Sequence, residues 1–294
     1  MLLNITLPIE DVFFIAKITS IFFNLTFCFG LFGNLMIIAA TIKCRQLHNP
    51  CNVLIAFQAF SDLLLGFGHP PYLYYAYAEI LIPFSKCYFI QILSFAAMNV
   101  STIMVLFIGV DRVLAVRFIV FYKLKNSYVY VLSVIAVALV YSSALNAFAY
   151  YTLTDELTVC LVPEAYTGLA KQVAFGSHLL LNILILIVYS YLNTTVASIQ
   201  SSQNRKMIKS LRSVVLCTVF GWFITFLICN TAMVISSDKN WLLAADMIAG
   251  FFACTHVAIP FITYYMTSTI YRTAFRSIID IALLPSLDTD SGNC

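Results

Sequence analysis

The sequence predicts an all-α membrane protein, a bundle of seven membrane-spanning helices followed by a short amphipathic helix. Three observations carry that reading. Hydrophobic residues fill 62% of the 294 positions and charged residues only 10%, against about 25% charged in a soluble domain. A soluble chain of this composition has too little polar surface to cover itself. The apolar residues fall in long blocks, each near the ~20 residues that cross a bilayer as a helix. Those blocks do not alternate apolar and polar positions, as the ~10-residue strands of a membrane barrel must. Lipid offers no water to unpaired backbone groups, so such blocks close their hydrogen bonds internally as helices.

In chain order the spans fall near 13–42, 52–78, 85–117, 128–150, 168–193, 208–235 and 244–268. The first follows Met1 to Asp11, which carries Glu10 and Asp11 but no basic residue. Its apolar block is also too long for a signal-peptide core, so it reads as a genuine span. The second holds an acid, Asp62, in mid-span, and the third carries Asp111 and Arg112 near its far end. An intramembrane carboxylate is expensive and marks a functional site by default. A short amphipathic segment at 269–281 follows the last span, and a polar tail at 282–294 closes the chain. Connecting segments are short, and no second domain, repeat or low-complexity run is visible.

An odd number of spans puts the two termini on opposite sides, and the basic residues decide which is which. With the N-terminus outside, the inner ends and loops hold twelve of the sixteen Lys and Arg residues, and only Lys17, Lys86, Lys171 and Lys239 lie toward the other face. The expected placement is therefore a multi-pass plasma-membrane protein with an extracellular N-terminus and a cytoplasmic C-terminus, its partner the lipid bilayer. Asn4-Ile5-Thr6 is an N-glycosylation sequon on the outer side of that topology.

Several function classes fit poorly. The four histidines, His48, His69, His178 and His256, are scattered without metal-ligand spacing, and no nucleophile-and-base set stands out, so no enzyme is expected. A transporter should show internal repeats and interrupted spans. A channel needs a ring of charges or a filter loop. Neither pattern is present, and no nucleic-acid partner is expected.

The motifs point elsewhere. Gly33-Asn34 lies in the first span and Ser61-Asp62 in the second; Cys87 opens the third and Gly109-Val110-Asp111-Arg112-Val113 closes it, twenty-five residues later. At ~1.5 Å per residue that interval crosses the membrane. In these features the chain resembles the rhodopsin-like (class A) G-protein-coupled receptors. Leu47-His48-Asn49-Pro50-Cys51-Asn52 and Gly68-His69-Pro70-Pro71 are most similar to nematode serpentine chemoreceptors of class SX.

The resemblance implies a receptor that senses an extracellular small-molecule cue and activates a heterotrimeric G protein. It implies a Cys87–Cys160 disulfide pinning the loop between spans four and five. It also implies an Asp111–Arg112 switch, with Arg112 released on activation toward Tyr189 (or Tyr191) and Tyr264. Asp62 and Ser101 are implied as a modulatory sodium site, with His256 at a similar depth; no other cofactor is implied. Departures from the pattern are the missing asparagine before Pro260 and the missing prolines of spans five and six, which remove expected kinks.

For the ligand, the position of the amine receptors' aspartate in span three is Ser94, and no lysine lies within span seven to hold retinal. The candidate pocket comprises His69, Ser94, Phe95, Met98, Asn99, His178 and Asn182. Apolar and aromatic walls with a few polar groups suit a small, weakly charged ligand. A neuropeptide or small-transmitter receptor of the same fold is the alternative, and a transporter or channel the more distant one.

Overall fold

The computed structural model describes residues 6–197 and 220–283, without the side chains of 196, 197, 256–258 and 281–283. Asn4, residues 208–219 of the expected sixth span, the side chain of His256 and the tail beyond 283 lie outside the described residues.

Helix α1 spans Ile9–Lys43. Helices α2 (Pro50–Gly66) and α3 (His69–Ala78) together form the second span, and α4 runs over Phe84–Arg117. A short α5 (Ile119–Leu124) leads into α6 (Ser127–Tyr151), and α7 occupies Gly168–Ala197. Then come α8 (Phe220–Ile235), α9 (Lys239–Thr267) and α10 (Thr269–Leu283). Among the described residues, six helical segments are long and apolar enough to cross a membrane, and α8 is a shorter apolar helix where the sixth span belongs. The architecture is a seven-helix bundle. Helix α4 is its hub, packed on α2, α6 and α7, while α1 packs on α2 and α9. Large apolar side chains on the outside, such as Phe14, Phe29, Val140 and Val234, are exposed; the bilayer is their solvent.

The second span departs from the continuous helix expected over 52–78. Pro70 and Pro71 lack N–H groups and cannot accept a place in the interior of a helix, but they suit its first turn. The chain therefore breaks at Phe67-Gly68 and restarts at His69. The break frees the Leu64 carbonyl at membrane depth, and side chains of neighbouring helices fasten it and the start of α3. Ser94 Oγ donates to the Leu64 carbonyl at 3.1 Å, Gln91 Nε2 to that of Gly68 at 3.0 Å and Asn24 Nδ2 to that of His69 at 3.1 Å. Position 68 must be glycine for space: a Cβ there would collide with Gln91 and Val162.

The two ends of the bundle differ in construction. At one, β1 (Ile82–Pro83) pairs antiparallel with β2 (Leu157–Thr158), and Cys87 is bonded to Cys160 with the Cα atoms 5.3 Å apart, an ordinary disulfide span. At the other, α10 lies across the bundle on Tyr271, Ala274 and Phe275, all buried. Arg272 starts it by donating to the Tyr265 and Met266 carbonyls in the last turn of α9, which a cation suits. Lys43 of α1 donates to Ser277 at 2.9 Å and holds α10 from the other side.

Candidate functional site

At the disulfide end, the chain after β2 turns down into the bundle instead of lying over it. Val159, Cys160, Leu161, Val162, Glu164, Ala165 and Tyr166 are all buried. Tyr166 reaches deepest: its hydroxyl meets Asn99 of α4 at 3.2 Å, and the Asn99 amide oxygen in turn meets His178 Nε2 of α7 at 2.8 Å. Burial pushes the Tyr166 hydroxyl's pKa upward, so it stays a neutral donor.

Beneath Leu161, Val162 and Pro163 lies a cavity of about 60 Å³, several times the ~10–15 Å³ that one water needs. His69, Met98 and Phe175 form walls, and Trp222 and Phe226 form the floor. The floor is rigid because Trp222, Phe226 and His178 stack in a ladder, with ring centres 5.3 and 4.7 Å apart. Among the lining residues is one acidic side chain, Asp246 of α9.

Asp246 belongs to a buried charge cluster. Lys171 of α7 lies 2.5 Å from Asp246 Oδ2 and 2.6 Å from Glu164 Oε1, and all three side chains are at most 12% exposed. Thr158 of β2 donates to the other Glu164 oxygen at 3.1 Å. The cluster therefore ties the inserted loop to α7 and α9. Burial pushes the Glu164 carboxyl's pKa up, and the Lys171 ammonium pulls it back.

At the opposite end, Asp111 is fully buried. Lys125 donates to it at 2.9 Å and the Tyr122 hydroxyl at 3.1 Å, while the Arg112 guanidinium stands at 3.7 Å. The Lys125 ammonium also sits over the rings of Tyr122 and Tyr130, 3.8 and 3.4 Å from their centroids. Arg112 turns inward and donates through Nε to the Cys51 sulfur of α2 at 2.7 Å. Tyr189, Tyr264 and Tyr271 lie within electrostatic reach of it. Tyr271 stacks on Tyr264 at 4.7 Å and so links helix α10 to this group.

Residues 27–279 match the family described as the serpentine type 7TM GPCR chemoreceptor Srsx. The chain belongs to the Srsx family. It is also similar to C-C chemokine receptor type 4 of Homo sapiens, 24% identical over 210 residues, covering 68% of this chain and 58% of that receptor. A shorter match, 29% over 97 residues, links it to C-C chemokine receptor type 8 of Macaca mulatta and covers 33% of this chain and 27% of the relative. The chain thus spans little more than half the length of the first relative and about a quarter of the second.

In this Srsx chain, His69 and Met98 line the cavity. The other five pocket residues sit at its depth but in contacts of their own. Ser94 holds the helix break, and Phe95 packs on Tyr166. Asn99 binds the inserted tyrosine and His178 binds Asn99, while Asn182 donates to the His178 carbonyl at 2.8 Å. Ser101 Oγ donates to Asp62 at 2.5 Å, and both are buried. Of the two tyrosines left open in span five, Tyr189 faces inward and Tyr191 is exposed. Sequence reasoning missed Glu164, Lys171 and Asp246, although two charges inside apolar spans were a readable signal. It also missed Lys125, Tyr122 and Cys51 as neighbours of Asp111 and Arg112, because the packing of α2 and α5 against α4 decides those contacts.

Proposed function

We propose that this chain is a chemosensory G-protein-coupled receptor. The disulfide end faces outside, and the cavity under Leu161–Pro163 receives a small extracellular molecule. The Asp111–Arg112 end faces the cytoplasm and meets a heterotrimeric G protein. One observation supports this most strongly: a single helix, α4, carries Met98 in the cavity wall and Arg112 at the opposite end. Fourteen residues separate them, about 21 Å at 1.5 Å per residue. A ligand that binds one arrangement of the cavity better shifts the population of bundle states by its differential affinity, and α4 carries that bias to the far face.

Membership of a receptor family supports this reading over an enzyme. The excess of basic residues at the Arg112 end supports the orientation, as does the disulfide, which belongs in an oxidising compartment. Asp62 and Ser101 offer a carboxylate and a hydroxyl, hard oxygen donors that suit a sodium ion; a bound ion there would brace α2 against α4. The test is a second-messenger readout in cells displaying the chain, with Arg112→Ala alongside. We expect the variant to reach the surface and lose signalling. Normal signalling by the variant overturns the role given to Arg112.

A further inference from the structure

We infer that the cavity recognises a small apolar molecule carrying a single positive charge, which competes with Lys171 for Asp246. This assignment rests on the receptor reading above and names the ligand class for its cavity.

Lys171 is shared by Glu164 and Asp246, so two carboxylates and one ammonium leave a formal excess of one negative charge. That excess is buried, and a buried unpaired charge is costly unless something neutralises it. A proton on Glu164, whose pKa burial raises, is one neutraliser, and a ligand cation is another. Of the three groups, Asp246 lines the cavity, so a guest meets a carboxylate and not the ammonium. An anionic guest would add to the excess.

A second observation, independent of the cluster, points to a guest with a hydrogen-bond donor. His69 lines the same cavity, is only 7% exposed, and its Nδ1 has no hydrogen-bond partner among the described residues. Its Nε2 faces the Cys254 sulfur at 3.7 Å; in the tautomer whose Nε2–H donates to that sulfur, Nδ1 is an acceptor that a guest's N–H can serve. A buried polar atom with nothing to bond is rare and calls for an explanation. A primary ammonium has three donors, enough to serve a carboxylate and an imidazole nitrogen together.

The remaining walls are apolar and aromatic, with Phe175, Trp222 and Phe226 lining the space that the hydrocarbon body of the guest would fill. The free volume is small, about 60 Å³, so a larger guest must lift Leu161–Pro163. Drawing Asp246 away from Lys171 weakens the tie that holds that roof to α9, which couples ligand capture to movement of the loop.

The test uses the full-length chain purified into lipid nanodiscs, without G protein. Primary amines from isobutylamine to 2-phenylethylamine are titrated beside the alcohols and carboxylic acids of the same skeleton, and binding is read as a thermal-unfolding shift. We expect the amines to bind in preference to both matched series. Asp246→Asn should weaken amine binding roughly thirtyfold or more. Glu164→Gln, which removes the excess charge but leaves the Lys171–Asp246 pair, should weaken it less. Preference for the alcohols or acids overturns the assignment, as does the absence of any shift with amines or an amine affinity unchanged in Asp246→Asn. Should that variant fail to fold, the amine-against-alcohol comparison on the unaltered chain decides. Amine binding that never changes a second messenger in cells leaves the ligand class standing and counts against the receptor reading instead; signalling driven by an acid or alcohol does the reverse.

Discussion

Both ends of the bundle bury a lysine against carboxylate, yet the two clusters are built with opposite stoichiometry. At the disulfide end Glu164 and Asp246 share Lys171. At the other end Lys125 and Arg112 share Asp111. Counted formally over the described groups, one cluster has one carboxylate more than its ammonium and the other one cation more than its carboxylate. The lesson is that within each cluster the minority group, Lys171 or Asp111, is the one its neighbours depend on. Each excess also names the sign of what should dock there, a cation in the cavity and an acidic or carbonyl-rich surface against Arg112.

The largest expected effects come from removing the minority groups. Lys171→Met removes the ammonium that two buried carboxylates share, and Asp111→Leu removes the carboxylate that Lys125 and Arg112 share. Each should destabilise the purified chain by about 3–5 kcal/mol, the range for breaking a buried ion pair from one side, read as a fall in unfolding temperature and in surface display. The majority variants, Glu164→Gln and Lys125→Met, leave a paired remnant and should cost only about 1 kcal/mol each. If minority and majority variants prove equally costly, the charge-sharing account of both ends fails. Asp111→Asn keeps a hydrogen-bond acceptor for Tyr122 but releases both cations, so it should raise basal second-messenger output over the unaltered chain.

Next in size are effects of packing. In α4, Gly109 lets α7 approach so closely that a Cβ would lie 2.5 Å from the Tyr189 ring. Gly109→Ala must push that ring aside. Overpacking of this kind costs about 1–3 kcal/mol. The corresponding change at the disulfide end, Gly68→Ala, drives against Gln91 and Val162 and should loosen the inserted loop. We expect Gly109→Ala to alter signalling efficacy with ligand binding kept, and Gly68→Ala to weaken binding first. Binding and efficacy assays on the two variants distinguish the ends; the same phenotype from both would erase the distinction.

The spans were legible because hydrophobic length is a local property. The described ends of α4 and α6 lie within a residue of the bounds read from sequence, 85–117 and 128–150. The disulfide follows from the family pattern, and Cys87 and Cys160 are bonded. The cavity was legible only in depth. Residues such as Asn99 and His178 sit at the right level, but helix azimuth and a loop that plunges inward decide what they touch. Tyr166 takes the place beside Asn99 that a ligand was expected to fill. The charge cluster was hidden for a related reason: Lys171 and Asp246 are seventy-five residues apart, and no spacing rule connects them.

The smallest predicted effect separates two hydrogen bonds that look alike. Ser94 and Ser142 each donate to a backbone carbonyl on a neighbouring helix, at 3.1 and 3.0 Å. Ser142 reaches Ala96, which lies inside the unbroken α4 and keeps its own helical partner. Ser94 reaches Leu64, whose helical partner would be the Gly68 N–H; that group turns to Leu65 at the break before Pro70. Removing Ser94 therefore leaves a carbonyl unpaired where no water reaches, while removing Ser142 leaves one still bonded. Leaving a buried acceptor unsatisfied costs about 1–3 kcal/mol, against about 0.5–1.5 for a bond whose loss orphans nothing. Ser94→Ala should thus lower the unfolding temperature more than Ser142→Ala, and Ser94→Thr should restore it. Equal losses from the two alanine variants would mean that Ser94 is ordinary helix packing and that the break at Gly68 needs no fastening from α4.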